Sequence, residues 1–318
     1  MLGLPLVSII IPVYNGSNFL SEAIDSALAQ TYSNIEIIVV NDGSSDNGKT
    51  EAIARSYGEK IRYIEKENGG VSSALNVGIA NMRGEYFSWL SHDDKYAPEK
   101  IASQVQILSQ HGDPSLIALC ADRHIDVDSK LLDKRAKQRF THEAVVCWQD
   151  VVMSLLEQGT LNGCALLIPR HIFDQCGEFD TELRFNQDAK MWFGIFLNKN
   201  RLVYQSDVMV YNRLHSAQVT HTRKDLYHSD CEKMSRTLLP RLIAESDDTY
   251  DFFYAYAKSN AKYHNKAVVD MCMQGENGKR LSARKRMSVQ IVRLYGAIRP
   301  TIRQVYYLLF KRIVVKSK

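Results

Sequence analysis

A chain of 318 residues with 45% apolar and 24% charged residues is long enough for one large domain or two smaller ones, and its composition excludes a disordered or fibrous protein. The six cysteines (Cys120, Cys147, Cys164, Cys176, Cys231, Cys272) are scattered without a Cys-x-x-Cys pair, which argues against a zinc or redox motif and a secreted disulfide scaffold, and for a reducing, cytoplasmic compartment. The formal charge of +4 divides unevenly: residues 279–318 hold 12 of the 40 Lys and Arg and none of the 36 acidic residues, leaving −8 on the body and +12 on the tail.

The first apolar run, Val7-Ser-Ile-Ile-Ile-Pro-Val13, has the length and β-branched content of a buried strand and is too short for a signal peptide. A helix should follow, capped by Ser17, with Phe19, Leu20, Ala23, Ile24, Ala27 and Leu28 at helical spacing. Residues 35–40 read as a second strand, stopped by the turn formers Asn41-Asp-Gly-Ser-Ser-Asp46. A third strand is expected over 61–64, a helix over 71–81, and a fourth strand over 86–90, ending at Ser91-His-Asp-Asp94.

This alternation predicts an α/β fold with a mainly parallel central sheet and right-handed crossovers. Ligands bind beyond the carboxyl ends of strands in such sheets, so Asp42 and Asp93 should face one crevice. Strands are expected at 117–125 and 163–168, helices at 148–157 and 188–197, and a strand pair across 202–212. Beyond Thr222 the pattern is helical, with a Gly275-Glu-Asn-Gly278 break before the basic tail. No stretch reaches the ~18 apolar residues of a spanning helix, so the chain is not expected to cross a bilayer by itself.

Taken singly, the polar clusters are ordinary punctuation. Asp-Gly-Ser-Ser-Asp reads as a turn with a helix cap, His-Asp-Asp as a cap before Tyr96-Ala-Pro98, and Asp188 as the N-cap of an ordinary helix. Their company changes this. Pro12-Val-Tyr-Asn-Gly16, Val40-Asn-Asp-Gly-Ser-Ser-Asp46, Asn68-Gly-Gly-Val-Ser-Ser-Ala-Leu-Asn-Val-Gly78, Trp89-Leu-Ser-His-Asp-Asp94 and Gly177-Glu-Phe-Asp180 followed by Asn186-Gln-Asp188 resemble the ordered motifs of family 2 glycosyltransferases, across about residues 7–220. The resemblance implies a GT-A domain over 1–220, with a donor-binding half at about 1–115 and an acceptor half at about 116–220. A helical C-terminal region over 221–318 follows.

It further implies a nucleotide-diphospho-sugar donor, a divalent metal (Mn²⁺ or Mg²⁺) and inversion at the anomeric carbon. Pro12, Tyr14, Asn15 and Asp42 would then line the nucleotide pocket, with Asp42 accepting a hydrogen bond from a pyrimidine such as uracil. Ser91, His92 and Asp93 occupy the place of the Asp-x-Asp motif. Asp93 keeps its last carboxylate as metal ligand, Ser91 replaces its first, and Asp94 stands in reserve. Asp188 matches the general base that takes the acceptor hydroxyl proton, although Gln187 stands where the family has Glu.

Ser72 and Asn76 lie near a helix N-terminus suited to phosphate or sugar oxygens, while Leu75 stands where relatives carry Arg or Lys. Arg213, His215 and Gln218 resemble the segment that folds over the donor, with His215 as a second metal ligand. The acceptor implied is a hydroxyl of a surface polysaccharide or lipid-linked glycan, and a homo-oligomer is compatible with the sequence. In the tail, Ile298, Ile302, Val305, Leu309 and Ile313 share one helical face, suited to an anionic membrane at its cytoplasmic side. One other reading remains open, a nucleotide-sugar binding protein that has lost turnover, suggested by Ser91, Leu75 and Gln187; a nucleic-acid partner is not expected, because the basic tail brings no stacking motif or recognition fold.

Overall fold

The computed structural model describes residues 3–135, 140, 143–216, 224–274 and 281–293. The chain divides into two compact units, Met1–Asp230 and Cys231–Lys318. In the first, β1 (Val7–Val13) is buried along its whole length, because its apolar side chains meet helices on both faces of the sheet. Parallel to it run β2 (Ile35–Asp42) on one side and β4 (Tyr86–Trp89) on the other, with β3 (Arg62–Lys66) parallel to β2. The crossovers contain α1 (Leu20–Leu28), α2 (Lys49–Ser56) and α3 (Val71–Asn81).

Beyond β4 the sheet becomes mixed. A short β5 (Lys95–Tyr96) and α4 (Lys100–His111) lead into β6 (Leu116–Ile125), β7 (Leu131–Arg135) and β8 (Ala144–Val146). Then come α5 (Trp148–Gln158), β9 (Leu166–Pro169), α6 (His171–Cys176), α7 (Gln187–Leu197) and β10 (Arg201–Arg213). The strand order is β3-β2-β1-β4-β9-β6-β10-β5, with β7 on β6 and β8 on β10. Strand β9 is antiparallel to both β4 and β6, and so joins the parallel donor half to the second half.

Three local expectations change. The first helix starts at Leu20 with Phe19 in the cap position and no side-chain cap, because the Gly16 carbonyl accepts from both the Phe19 and Leu20 amides and the Ser17 side chain bonds Asp46 instead. The polar Ser206-Asp207 step, which suggests a turn between two strands, is absorbed as an irregularity within the single 13-residue β10, whose pairing with β6 shifts register there. Residues 163–165 form a 3-10 turn rather than the start of β9, because the Asn162 side chain accepts the Cys164 amide.

Under the sheet, Lys100 is fully buried, its Nζ donating to Ser88 Oγ (3.0 Å) and Gln104 Oε1 (2.9 Å) and lying 4.2 Å from the Tyr96 ring centre. Burial lowers its pKa from 10.5 to about 8, against the opposing pull of Cys120 and Cys164. Above 10.5 neither the folded nor the unfolded chain carries this charge. Between 10.5 and 8 only the unfolded chain takes up the proton, so the contribution to stability is complete above that window and is lost as the pH falls through 8. A displacement of this size corresponds to about 3 kcal/mol. The stability difference between the wild type and Lys100→Met, followed by urea unfolding from pH 7.5 to 10.5, is therefore expected to move in favour of the wild type as pH rises. A difference independent of pH would refute the lowered pKa of Lys100.

The second unit is helical. It takes over within α8 (Lys224–Ala244) and continues through α9 (Phe252–Lys262) and α10 (Lys266–Gln274) to a further helix over 283–293. Asp251 caps α9 by accepting the Tyr254 amide and also pairs with Lys285, while the Tyr254 hydroxyl donates to Ser288 Oγ. The Gly275–Gly278 break and residues 294–318 of the basic tail lie outside the described residues. Among the described residues no helix is long and apolar enough to cross a membrane.

Candidate active site

The in-register pairing of Val13 with Asn41 brings the loops after β1 and β2 out at one edge of the sheet. They knit together there. The Asn15 amide donates to Ser44 Oγ (2.9 Å), and its side-chain oxygen accepts from the Ser45 amide (2.7 Å). Asn15 does this at φ 50°, a left-handed conformation that asparagine tolerates better than most residues. Tyr14, 46% exposed, places its hydroxyl 3.3 Å from Ser45 Oγ. Pro12, by contrast, is buried in β1 opposite Val40.

At the end of β2, Asp42 is 3% exposed. Its carboxylate accepts from the Gly69 amide (2.9 Å), the Gly70 amide (2.7 Å) and Lys66 Nζ (2.7 Å). A carboxylate offers about four acceptor positions, so one more donor can be satisfied here. Gly43 follows at φ 65°, and a Cβ on it would lie 2.7 Å from the Asn68 amide nitrogen, so the close approach of these two loops requires glycine.

Strand β4 flanks β1 on the other side and is parallel to it, so the loop carrying Asp93 leaves from the same edge as Asp42. The antiparallel pairing of Tyr96 with Val210 and Lys95 with Tyr211 then lays the end of β10 beside this loop. In consequence His215 Nε2 stands 3.0 Å from Asp93 Oδ2, across 122 residues of sequence, with side-chain exposures of 13% and 14%. The His215 ring also packs on Phe19, centroids 5.3 Å apart. His92, between Ser91 and Asp93, is held neutral by burial, which lowers its pKa and outweighs the attraction of Asp93. Its ring lies against Gly16, where a Cβ would come within 2.5 Å.

Several of the expected site residues are bonded within the fold. Arg213 is fully buried: its Nε donates to the Asp93 carbonyl (2.9 Å), its Nη1 to the Asp126 and Val127 carbonyls and its Nη2 to Glu22 (3.0 Å), with the guanidinium 4.4 Å from the Phe19 ring centre. Asp94 points inward, accepting from the Arg213 amide (2.9 Å) and Cys164 Sγ (3.5 Å). Burial, then the nearby Asp93 charge, raise its pKa well above the ordinary carboxylate value. Cys164 Sγ in turn accepts from the Ser91 amide (3.3 Å) and lies 3.4 Å from the Ser91 hydroxyl, so Ser91 is braced from beneath.

Asn76 is also bonded within the fold: its amide donates to the Phe179 carbonyl (2.8 Å) and accepts from the Phe179 amide (2.9 Å). Leu75 is fully buried. Ser72, in the first turn of α3, is 2% exposed and its hydroxyl has no hydrogen-bond partner among the described residues. Asp188 sits in the first turn of α7, where its Oδ2 accepts from the Thr160 hydroxyl (2.9 Å) and its Oδ1 from the Ala189 amide (2.7 Å). Gln187 turns inward, 9% exposed, so the amide that replaces the family's carboxylate avoids a buried charge. Gln218 lies outside the described residues.

The profile of Glycosyl transferase family 2 matches residues 8–154. An uncharacterized glycosyltransferase of Rickettsia typhi is 51% identical over 219 residues, which is 69% of this chain and 67% of that protein. The chain belongs to glycosyl transferase family 2. A second relative, from Rickettsia prowazekii, is 50% identical over 219 residues with the same coverage, whereas the chain spans only 34% of a Rickettsia bellii relative that is 45% identical. Among solved structures, Staphylococcus aureus TarS in complex with UDP-GlcNAc superposes with a TM-score of 0.67 at 17% identity, covering 89% of this chain and 79% of that one. That likeness bears on the fold, and it agrees with the GT-A architecture expected from the motifs.

Cys164, Thr160, Lys66 and Glu22 are the parts of this site that sequence reasoning misses. Each acts on a partner at least 24 positions away, and none carries a local spacing signal.

Proposed function

We propose that this family 2 glycosyltransferase is an inverting enzyme that moves a sugar from a UDP-sugar to a hydroxyl of a surface polysaccharide or lipid-linked glycan. The observation that carries the reading is the meeting of Asp93 and His215 at the same sheet edge as Asp42. A carboxylate oxygen and an imidazole nitrogen in a largely enclosed corner fit a divalent cation that takes its remaining ligands from phosphate and water. Asp93 and His215 would hold Mn²⁺ or Mg²⁺, and the cation would neutralise charge on the departing nucleotide diphosphate.

The chain's own residues divide the rest of the work. Asp42 offers its remaining acceptor position to the base of the nucleotide, beside Tyr14 and Asn15. Asp188, held by Thr160, takes the proton of the acceptor hydroxyl as that oxygen attacks the anomeric carbon from the face opposite the leaving group. The UDP-GlcNAc bound in TarS supports a uridine diphosphate donor without fixing its sugar. The basic tail supports attachment to an anionic membrane surface at its cytoplasmic side, which would bring the site to a lipid-linked acceptor.

A panel of nucleotide-sugars with Mn²⁺ or Mg²⁺, read by nucleotide release, tests the reading. Release of UDP from one sugar donor is expected, and silence across the whole panel would refute catalysis. Flotation with anionic and neutral liposomes tests the tail, since equal recovery before and after removal of residues 279–318 would leave it no membrane role.

A further inference from the structure

The segment that leads into the Asp188 helix is tied to the nucleotide loop by a residue with no role in the chemistry above. Arg184 lies in an exposed turn, yet its backbone is fixed. Asp230 Oδ2, on a side chain 2% exposed, accepts the amides of both Arg184 (2.8 Å) and Phe185 (2.7 Å). From there the guanidinium reaches back across 115 residues of sequence, and Nη1 donates to the Gly69 carbonyl (2.7 Å). The fit depends on glycine: Gly70 has φ 87°, and a Cβ on it would lie 2.0 Å from Arg184 Nη1. The same two glycines donate their amides to the two oxygens of Asp42. On α3, seven positions after Gly69, Asn76 makes its paired bonds to Phe179, so the segment is held at both ends.

We infer that Arg184 is a positioning residue for the nucleotide pocket: by gripping the Gly69 carbonyl it sets the Gly70 amide that holds Asp42, and it locks that loop in register with the segment ending at Asp188. The function follows from the direction of the bonds. A peptide unit pinned at its carbonyl presents the next amide in one orientation, and here that amide, of Gly70, donates to Asp42 Oδ2. A charge-assisted bond of this kind contributes on the order of tenfold or more to an equilibrium that depends on it. The inference rests on the reading of Asp42 as the residue that holds the nucleotide base.

Calorimetric titration of wild type, Arg184→Met and Arg184→Lys with uridine, UMP and UDP tests it, alongside hydrogen exchange over residues 66–71. Arg184→Met is expected to weaken all three ligands by a common factor of about ten and to speed exchange at Gly69 and Gly70. Arg184→Lys should recover most of both, since one donor suffices for the Gly69 carbonyl. A loss that appears with UDP but not with uridine would make Arg184 a direct phosphate ligand and overturn the positioning role, as would unchanged affinity for all three. If the wild type binds none of these ligands, the nucleotide reading of Asp42 fails separately, and unchanged exchange at Gly69 and Gly70 in Arg184→Met would still overturn the inference.

Discussion

Asp188→Asn is expected to lower sugar transfer by about 10²–10⁴-fold, the range that a positioned general base supplies, while leaving the affinity for nucleotide unchanged. The substitution keeps the shape of the side chain and one acceptor oxygen, so the first turn of α7 should persist: the Ala189 amide retains a partner, and the Thr160 hydroxyl can reorient toward the new amide. What is lost is a group able to accept a proton from the attacking hydroxyl. The measurement is turnover with saturating donor and acceptor, paired with calorimetric UDP binding. Equal turnover in the two proteins would remove Asp188 from the chemistry, and a parallel loss of UDP binding would place it in the donor pocket instead.

How much of this site is legible in the sequence depends on the range over which each contact acts. The donor-half strands are plain because β-branched runs bounded by Pro, Asn and Gly have few other uses, and the helix at Val71–Asn81 is read to its ends. The long β10 is not, because a polar step inside a strand looks like a turn until a neighbouring strand absorbs it as a shift of register. Asp93 and Asp188 are found by motif, but nothing in a motif tells which polar residue faces the ligand and which faces the core.

Arg213 and Asn76 illustrate this limit. Both are polar residues in the right motifs, and both spend hydrogen bonds on backbone groups inside the fold, the Asp93, Asp126 and Val127 carbonyls in one case and the Phe179 peptide in the other. Arg184 shows the converse. A single arginine in a turn has no periodicity or spacing to mark it, and its role depends on Gly69, which only the fold brings near.

Asp93→Asn is expected to abolish metal-stimulated transfer, with a fall of at least about a hundredfold, since a cation that stabilises a leaving diphosphate contributes several kcal/mol to the barrier. The protein should otherwise stay intact, because the Asp93 backbone carbonyl remains bonded to Arg213 Nε and the neighbouring Asp94 keeps its bond from the Arg213 amide. The side chain, held 3.0 Å from His215, is thus the one changed element of that corner. His215→Gln, which leaves the carboxylate in place, should have the smaller effect and respond to higher Mn²⁺ concentration, whereas Asp93→Asn should not. Calorimetric titration of Mn²⁺ in the presence of UDP separates the two. If Asp93→Asn binds the cation as the wild type does, the carboxylate is not its ligand, and the contact with His215 is then a hydrogen bond that shapes the loop.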